Sequence, residues 1–381
     1  MGRDNLKIGM MYMANRMMPP QAVEDILDIF EDSGVVDHLW VLDQLTGWLP
    51  RSIWTPEYTA AAADLEDTDS FHDNLVTLGF AMAKAPGIAP MFCTNAVRWG
   101  PAELYRAALT LASASEGRAI VCLGAGEGYN IIPYGYKRSQ GVRRLEDHFR
   151  IYQQLWESDG PIDFAGNYWN FDQAYIGNIR TDKPRVWAMG SGPKLLDLAA
   201  QYADGIMSLA PNVFPTADQF AEFVTGMRQK VADHGRDPDQ FGFGLQVSTM
   251  MHEDPAVLEQ VWDNPTTALF TAVYGRIHHE DWKKDGFPTV FPDGWSYLNM
   301  LPNHLSRQEA DQIIAKVPRP MVPRAFFPGT PDEVAKTVTE YVDAGLTLLC
   351  PFDFVPMVVG FDEAFSSMGR LLTLSSLIKN G

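Results

Sequence analysis

Short apolar runs alternate with longer amphipathic ones along most of the chain, and that rhythm leaves few folds open. Strand-like runs fall at 6–12, 35–42, 91–94, 119–123, 185–189, 205–209, 241–250 and 346–352. Between them, 20–33, 101–116, 144–156, 193–202 and 217–234 carry apolar residues at helical spacing, as at Ile26, Ile29 and Phe30 or at Leu104, Ala107, Ala108 and Leu111. Strand–helix alternation predicts a parallel sheet covered by helices. Eight strands fit a closed barrel better than an open sheet, so the expected fold is α/β, a (β/α)8 TIM barrel with inserted loops. A plain barrel takes about 250 residues. The 381 present read as a single domain, 1–381, with insertions near 45–73 and 264–323 that follow strand regions and are placed to cover the mouth.

Bulk properties narrow the function. The formal charge of −18, from 48 acidic and 30 basic residues, repels phosphate backbones, so nucleic acid is excluded as a partner. Cys93, Cys122 and Cys350 lie far apart in apolar runs. They form neither a metal spacing nor an even disulfide set, and a reducing, cytoplasmic setting is expected. No leader-like segment and no 18-residue apolar run appears, so no membrane span is expected.

The chemistry-bearing candidates sit where strands hand over to loops, the catalytic end of a barrel. Cys122-Leu123-Gly124-Ala125-Gly126-Glu127-Gly128-Tyr129-Asn130 is a strand ending in a glycine-rich turn with a carboxylate. Small residues there let a flat or phosphorylated ligand approach the backbone. Glu127 reads as a general acid, a hydrogen-bond partner for a ring nitrogen, or an exposed loop residue, and Asn130 as a turn holder. Asp43-Gln44, with Trp48 behind, reads as a ligand-facing carboxylate and amide with an aromatic wall, or as a turn. Cys93-Thr94-Asn95 reads as a backbone bulge behind a planar ring, or as an ordinary strand end. Gly190-Ser191-Gly192-Pro193 offers free N–H groups at a helix start, or a tight turn. His278-His279-Glu280 lacks a third ligand, so a solvated or lid loop is favoured over a metal site. His38 is expected to point between barrel and helices. No P-loop and no complete dinucleotide fingerprint occurs.

These motifs together resemble the bacterial-luciferase-like superfamily of flavin- and deazaflavin-dependent oxidoreductases. The resemblance is carried by Trp40-Val41-Leu42-Asp43-Gln44, Gly100-Pro101-Ala102, Gly117-Arg118, Leu123-Gly124-Ala125-Gly126-Glu127, Gly190-Ser191-Gly192-Pro193, Ala203-Asp204-Gly205 and Gly329-Thr330-Pro331-Asp332-Glu333-Val334, in order over nearly the whole chain. Pro50-Arg51-Ser52-Ile53 before Thr55-Pro56-Glu57-Tyr58 is similar to a stretch of the phthiodiolone ketoreductase group. The resemblance implies coenzyme F420, with FMN as the alternative cofactor, and reduction of a ketone or an activated double bond. A luciferase-like FMN monooxygenase and a non-catalytic cofactor-binding protein are the other readings. It further implies that Asp43 contacts the deazaflavin head. Thr94 and Asn95 stand where relatives have a non-prolyl cis peptide behind the ring. Gly126 and Glu127 face the pyrimidine end, Asn130 supports the cofactor, and Gly190, Ser191 and Gly192 bind its phosphate tail. Trp48 matches an active-site aromatic. Relatives place histidine after the aspartate; here it is Gln44, which cannot titrate but can polarise a carbonyl. Gln44, Glu127 and Trp48 are thus the implied catalytic residues. No metal is implied, and a homodimer is. The aromatic insertions, with Trp48, Trp54, Trp282 and Trp295, point to an apolar, lipid-like small-molecule substrate.

Overall fold

Eight parallel strands close on themselves. In the computed structural model, which describes residues 5–179 and 182–381, these are β1 (Lys7–Tyr12), β2 (His38–Leu42), β3 (Ala89–Asn95), β4 (Ile120–Gly124), β5 (Arg185–Met189), β6 (Gly205–Ala210), β7 (Gly242–Met251) and β8 (Leu348–Asp353). Each pairs with the next in chain order, and β8 returns to β1 through Lys7↔Leu348, so the ring has no open edge. One helix backs each strand: α1 (Val23–Ser33), α2 (Asn74–Lys84), α3 (Pro101–Ala114), α4 (Gly141–Glu157), α5 (Pro193–Tyr202), α6 (Ala217–Asp233), α7 (Pro331–Asp343) and α8 (Ala364–Asn380). The fold is the (β/α)8 barrel that the alternation implies.

Side-chain alternation divides each strand between two cores. Leu39 and Val41 face outward onto Leu27 and Leu78, while Trp40 faces the barrel axis with Met91, Cys93, Ile120, Cys122, Trp187, Met207, Leu348 and Cys350. Trp187 fills the axis because its neighbours carry no side chain. A Cβ would lie 2.5 Å from its ring at Gly205 and 2.3 Å at Gly242. His38 shares the parity of Trp40, so it points into the barrel and not between barrel and helices. There its Nε2 lies 3.1 Å from the carbonyl of Arg118.

The two insertions meet each other. The first supplies helical turns at Arg51–Ile53 and Ala61–Asp64; the second supplies helices including Pro265–Tyr274 and Arg307–Ile314. Leu49, Ile53 and Tyr58 of one pack with Leu269, Val273 and Ala310 of the other. Ser52 Oγ donates to the Leu305 carbonyl at 2.7 Å, and Thr266 Oγ1 to the Tyr58 carbonyl at 3.0 Å. They form a cap with its own apolar core. Asn212, after β6, pins the cap to the barrel. Its Nδ2 donates to the Tyr274 and Ala325 carbonyls, and its Oδ1 accepts from Ser248.

Several elements lie outside the alternation seen in the sequence. A hairpin, Ile162–Ala165 with Asn170–Ala174, follows α4. A short strand, Phe327–Gly329, extends the end of β7 without joining the ring. Among the described residues no helix is long and apolar enough to cross a membrane.

Candidate active site

The ends of β2 and β3 are tied together by one carboxylate. Asp43 Oδ2 accepts from Thr94 Oγ1, and from Trp99 Nε1 at 2.9 Å. Arg98 Nη2 lies 2.5 Å from the same oxygen and donates to the Asp43 carbonyl at 2.6 Å. The side chains of Arg98 and Asp43 are 8% and 13% exposed, so each neutralises a charge the other would strand in a poorly hydrated place. Asn95 aims Arg98. Its Oδ1 accepts from the N–H groups of Val97 and Arg98, both at 3.1 Å, which turns the chain back toward Asp43. Asp43 Oδ1 has no partner among the described residues. The bulge and the non-prolyl cis peptide expected at Thr94–Asn95 are both absent. β3 pairs without a break from Met91↔Ile120 to Asn95↔Gly124, and the cis bond among the described residues is Ala210–Pro211. Regular pairing satisfies each backbone group of β3 in turn, which leaves no extra residue to bulge.

After β4 the glycine turn presses against its neighbours. Gly126 has φ +88°, and a Cβ there would sit 2.1 Å from Ile131 and 3.3 Å from Asn95. Asn130 joins this turn to the one after β2. Its Oδ1 accepts from Leu45 N at 2.9 Å and Thr46 N at 3.3 Å, which leaves its amide nitrogen to donate to Glu127. Tyr129 also hydrogen-bonds Glu127, and Tyr274 Oη donates to Tyr129 Oη at 3.2 Å. Burial raises the Glu127 pKa. The hydrogen bonds from Tyr129 and Asn130 and the charges of Arg138 and Arg98 oppose it, and burial wins. The cap closes over this turn: a Cβ on Gly128 would lie 2.6 Å from the Leu298 carbonyl.

Gly190, Ser191 and Gly192 follow β5, beside β4 in the ring. Gly190 N donates to the Met207 carbonyl at 3.1 Å. Gly192 caps α5 without a side chain, Pro193 has no N–H, and the N–H groups of Gly192 and Lys194 meet no partner among the described residues. A Cβ on Gly192 would find nothing within 4 Å. An open helix start of this kind accepts anions. Ser191 Oγ lies 3.4 Å from His278 Nε2, so the cap reaches this corner too.

Gln44 is half-exposed and hydrogen-bonds no described residue. Trp48 packs edge-on against Phe270 at 5.3 Å and Tyr274 at 5.9 Å, and tilts over Phe354 at 6.3 Å. The other three tryptophans serve packing. Trp54 donates to the Leu65 carbonyl at 2.7 Å, Trp282 is fully buried beneath Arg276, and Trp295 stacks on Phe291 at 3.7 Å. Trp48, Phe270 and Tyr274 form one aromatic wall. His279 is buried against the Pro292 carbonyl at 3.1 Å, not solvated, and no metal-binding group of three occurs among the described residues. Two cavities, of about 670 and 420 Å3, open elsewhere, one beside Arg370 and the other beside Tyr152.

The mouth therefore gathers Asp43, Thr94, Asn95, Gly126, Glu127, Asn130 and Gly190–Gly192 from four successive strand ends. Arg98, Tyr129 and Tyr274 belong with them and were not singled out in the sequence. Arg98 has a faint local signal, a cation three residues past a strand-end asparagine. Tyr274 has none, since its partner is 145 positions away.

The family model for luciferase-like monooxygenases matches residues 19–348. The chain is 29% identical over 322 residues to the phthiodiolone/phenolphthiodiolone dimycocerosates ketoreductase of Mycobacterium kansasii, covering 82% of this chain and 86% of the relative. It is 23% identical to the F420-dependent glucose-6-phosphate dehydrogenase of Kineococcus radiotolerans, covering 90% of each. Among solved structures, an F420-dependent secondary alcohol dehydrogenase in complex with an F420-acetone adduct superimposes with a TM-score of 0.71 at 18% identity, over 98% of this chain and 99% of the other.

Proposed function

Because the chain belongs to the luciferase-like monooxygenase family, we propose that it is an F420-dependent oxidoreductase acting on an apolar ketone, or an activated double bond, at the barrel mouth. One observation carries the reading: Asp43, Asn95, Glu127 and Gly190 converge there from four separate stretches of chain. The similarity to a ketoreductase and to F420-dependent enzymes supports the choice of cofactor.

The donor set fits such a group. The open N–H groups at Gly192 and Lys194 suit a phosphate tail, and Asp43 Oδ1 and the Glu127 carboxyl suit the polar edge of a flat ring. Bound there, the reduced deazaflavin supplies the hydride. Asp43 and Asn95 fix the floor of the site, and Asn130 locks the turn that carries Glu127. Gln44 donates an amide hydrogen to the substrate oxygen and holds it in line, a gain that depends on close alignment. Trp48 supplies the apolar wall and keeps water from the carbonyl. The protein is read as a cytoplasmic homodimer, which light scattering and cell fractionation test.

Titration with F420 and with FMN, followed by a panel of ketones and enones, is the direct test. Binding of F420 with ketone-dependent oxidation of its reduced form is expected. FMN binding with oxygen uptake would assign a monooxygenase. Tight F420 binding without turnover would assign a non-catalytic carrier.

A further inference from the structure

We propose that Tyr129 and Tyr274 form a two-hydroxyl proton path from Glu127 to the aromatic wall beside Trp48, an inference that rests on the reductase reading above. Reducing a carbonyl requires a proton as well as a hydride, and Gln44 has none to give. The structure supplies a connected alternative. Tyr129 hydrogen-bonds the Glu127 carboxyl, and Tyr274 Oη lies 3.2 Å from Tyr129 Oη. Tyr129 is buried, so water does not serve that link, while Tyr274 is half-buried and its ring stands 5.9 Å from Trp48. The path thus runs from the half-buried Glu127 carboxyl, through the buried Tyr129 hydroxyl, to the wall.

The groups around Glu127 leave it as the acid of this path. Arg98 is held by Asp43. Arg138 stays cationic, Asn130 does not titrate, and Tyr297, also close by, has its pKa pushed up by burial. Burial likewise holds the Tyr129 and Tyr274 phenols well above their ordinary range, so they pass a proton along and do not lose it. This arrangement, with Tyr274 donating to Tyr129, suits an ionised Glu127. Rotation of the two hydroxyl hydrogens reverses the direction when Glu127 is protonated.

In the step, the carbonyl π bond would open and its carbon would take a hydride, which bound reduced F420 would supply with its own two-electron oxidation as the carbonyl is reduced. The oxygen takes the Tyr274 proton, Tyr274 takes that of Tyr129, and Tyr129 takes that of Glu127. The Glu127 carboxylate then recovers a proton from solvent.

The test pairs 13C NMR of glutamate carboxyls in the cofactor-free protein with steady-state kinetics on Tyr129→Phe and Tyr274→Phe. Phenylalanine keeps each ring and removes each hydroxyl. The Glu127 midpoint should rise in Tyr129→Phe, because the carboxylate loses a donor. In both variants kcat should fall by about 100-fold, the usual worth of a general acid, while KM moves by less than roughly threefold. The alkaline decline of kcat set by Glu127 should disappear. An unmoved midpoint in Tyr129→Phe, or wild-type kcat in either variant, overturns the path alone. A wild-type protein that reduces no ketone with F420 overturns the reductase reading, and the substrate end of the path with it.

Discussion

The mouth has two unlike halves. The half at β2–β5 is polar, built from Asp43, Thr94, Arg98, Glu127 and Asn130, whose hydrogen bonds fix one another. The half under the cap is aromatic, built from Trp48, Phe270, Tyr274 and Phe354, whose rings meet at 4.8–6.3 Å. Hydrogen bonds impose directions; ring contacts impose only volume and exclude water. The polar half is therefore suited to hold a cofactor in one pose, and the aromatic half to accept apolar groups of varied outline.

Breaking the polar half should cost most. Arg98→Ala leaves the Asp43 carboxylate partly buried without its cation, and a loss of about 3–5 kcal/mol is expected, read by urea unfolding. Loss below 1 kcal/mol would show that the pair is hydrated. The next largest effect is read by pH and reaches residues outside the two halves. Asp353, at the end of β8, is buried and its pKa is pushed up to about 6 by that burial. Folding thus binds its proton more tightly than the unfolded chain does. The stabilisation, at most about 3 kcal/mol, is fully present below about pH 3.9 and is lost as pH rises through 6. His38 and His148, on the β2–β4 side, are pushed down to about 4 by burial. Their contribution is present above about pH 6.5 and is lost as pH falls toward 4. Asp353→Asn removes the opposing slope, so its stability should fall more steeply than the wild type's between pH 6.5 and 4. Parallel curves would remove Asp353 from this balance.

Glu127→Gln keeps the shape of the polar half and removes its acid. Turnover should drop by about 100-fold, equal to about 2.7 kcal/mol, with F420 still bound; unchanged kcat would take Glu127 out of the chemistry. Trp48→Ala tests the other half and should act on fit alone, raising KM for apolar ketones by about tenfold with kcat nearly intact. A matching loss of kcat would mean that the aromatic half also sets the reacting geometry.

The polar half was largely legible in the sequence because its residues follow strand ends, where alternation of apolar runs marks the barrel. Asp43, Glu127 and Gly190 announce themselves within a few positions of β2, β4 and β5. Of the aromatic half, only Trp48 was. Trp48 was marked by its place behind Asp43-Gln44, but its partners Phe270, Tyr274 and Phe354 were not, because only the packing of two insertions some 250 positions apart, in contacts such as Ser52 with Leu305, brings them to it. α2, α7 and α8 also went unread. α7 opens on a capping box, Thr330 with Glu333, that the sequence does contain. The resemblance overreached at β3, where it implied a distorted peptide and regular pairing prevails.

Cys93, Cys122 and Cys350 come from three different strands and all are buried along the barrel axis, with burial raising the thiol pKa at Cys93 and Cys350. A thiol-specific dye can reach such sulfurs only when staves part. The labelling rate of the unmodified protein is consequently a stopwatch on barrel opening, running without any introduced probe.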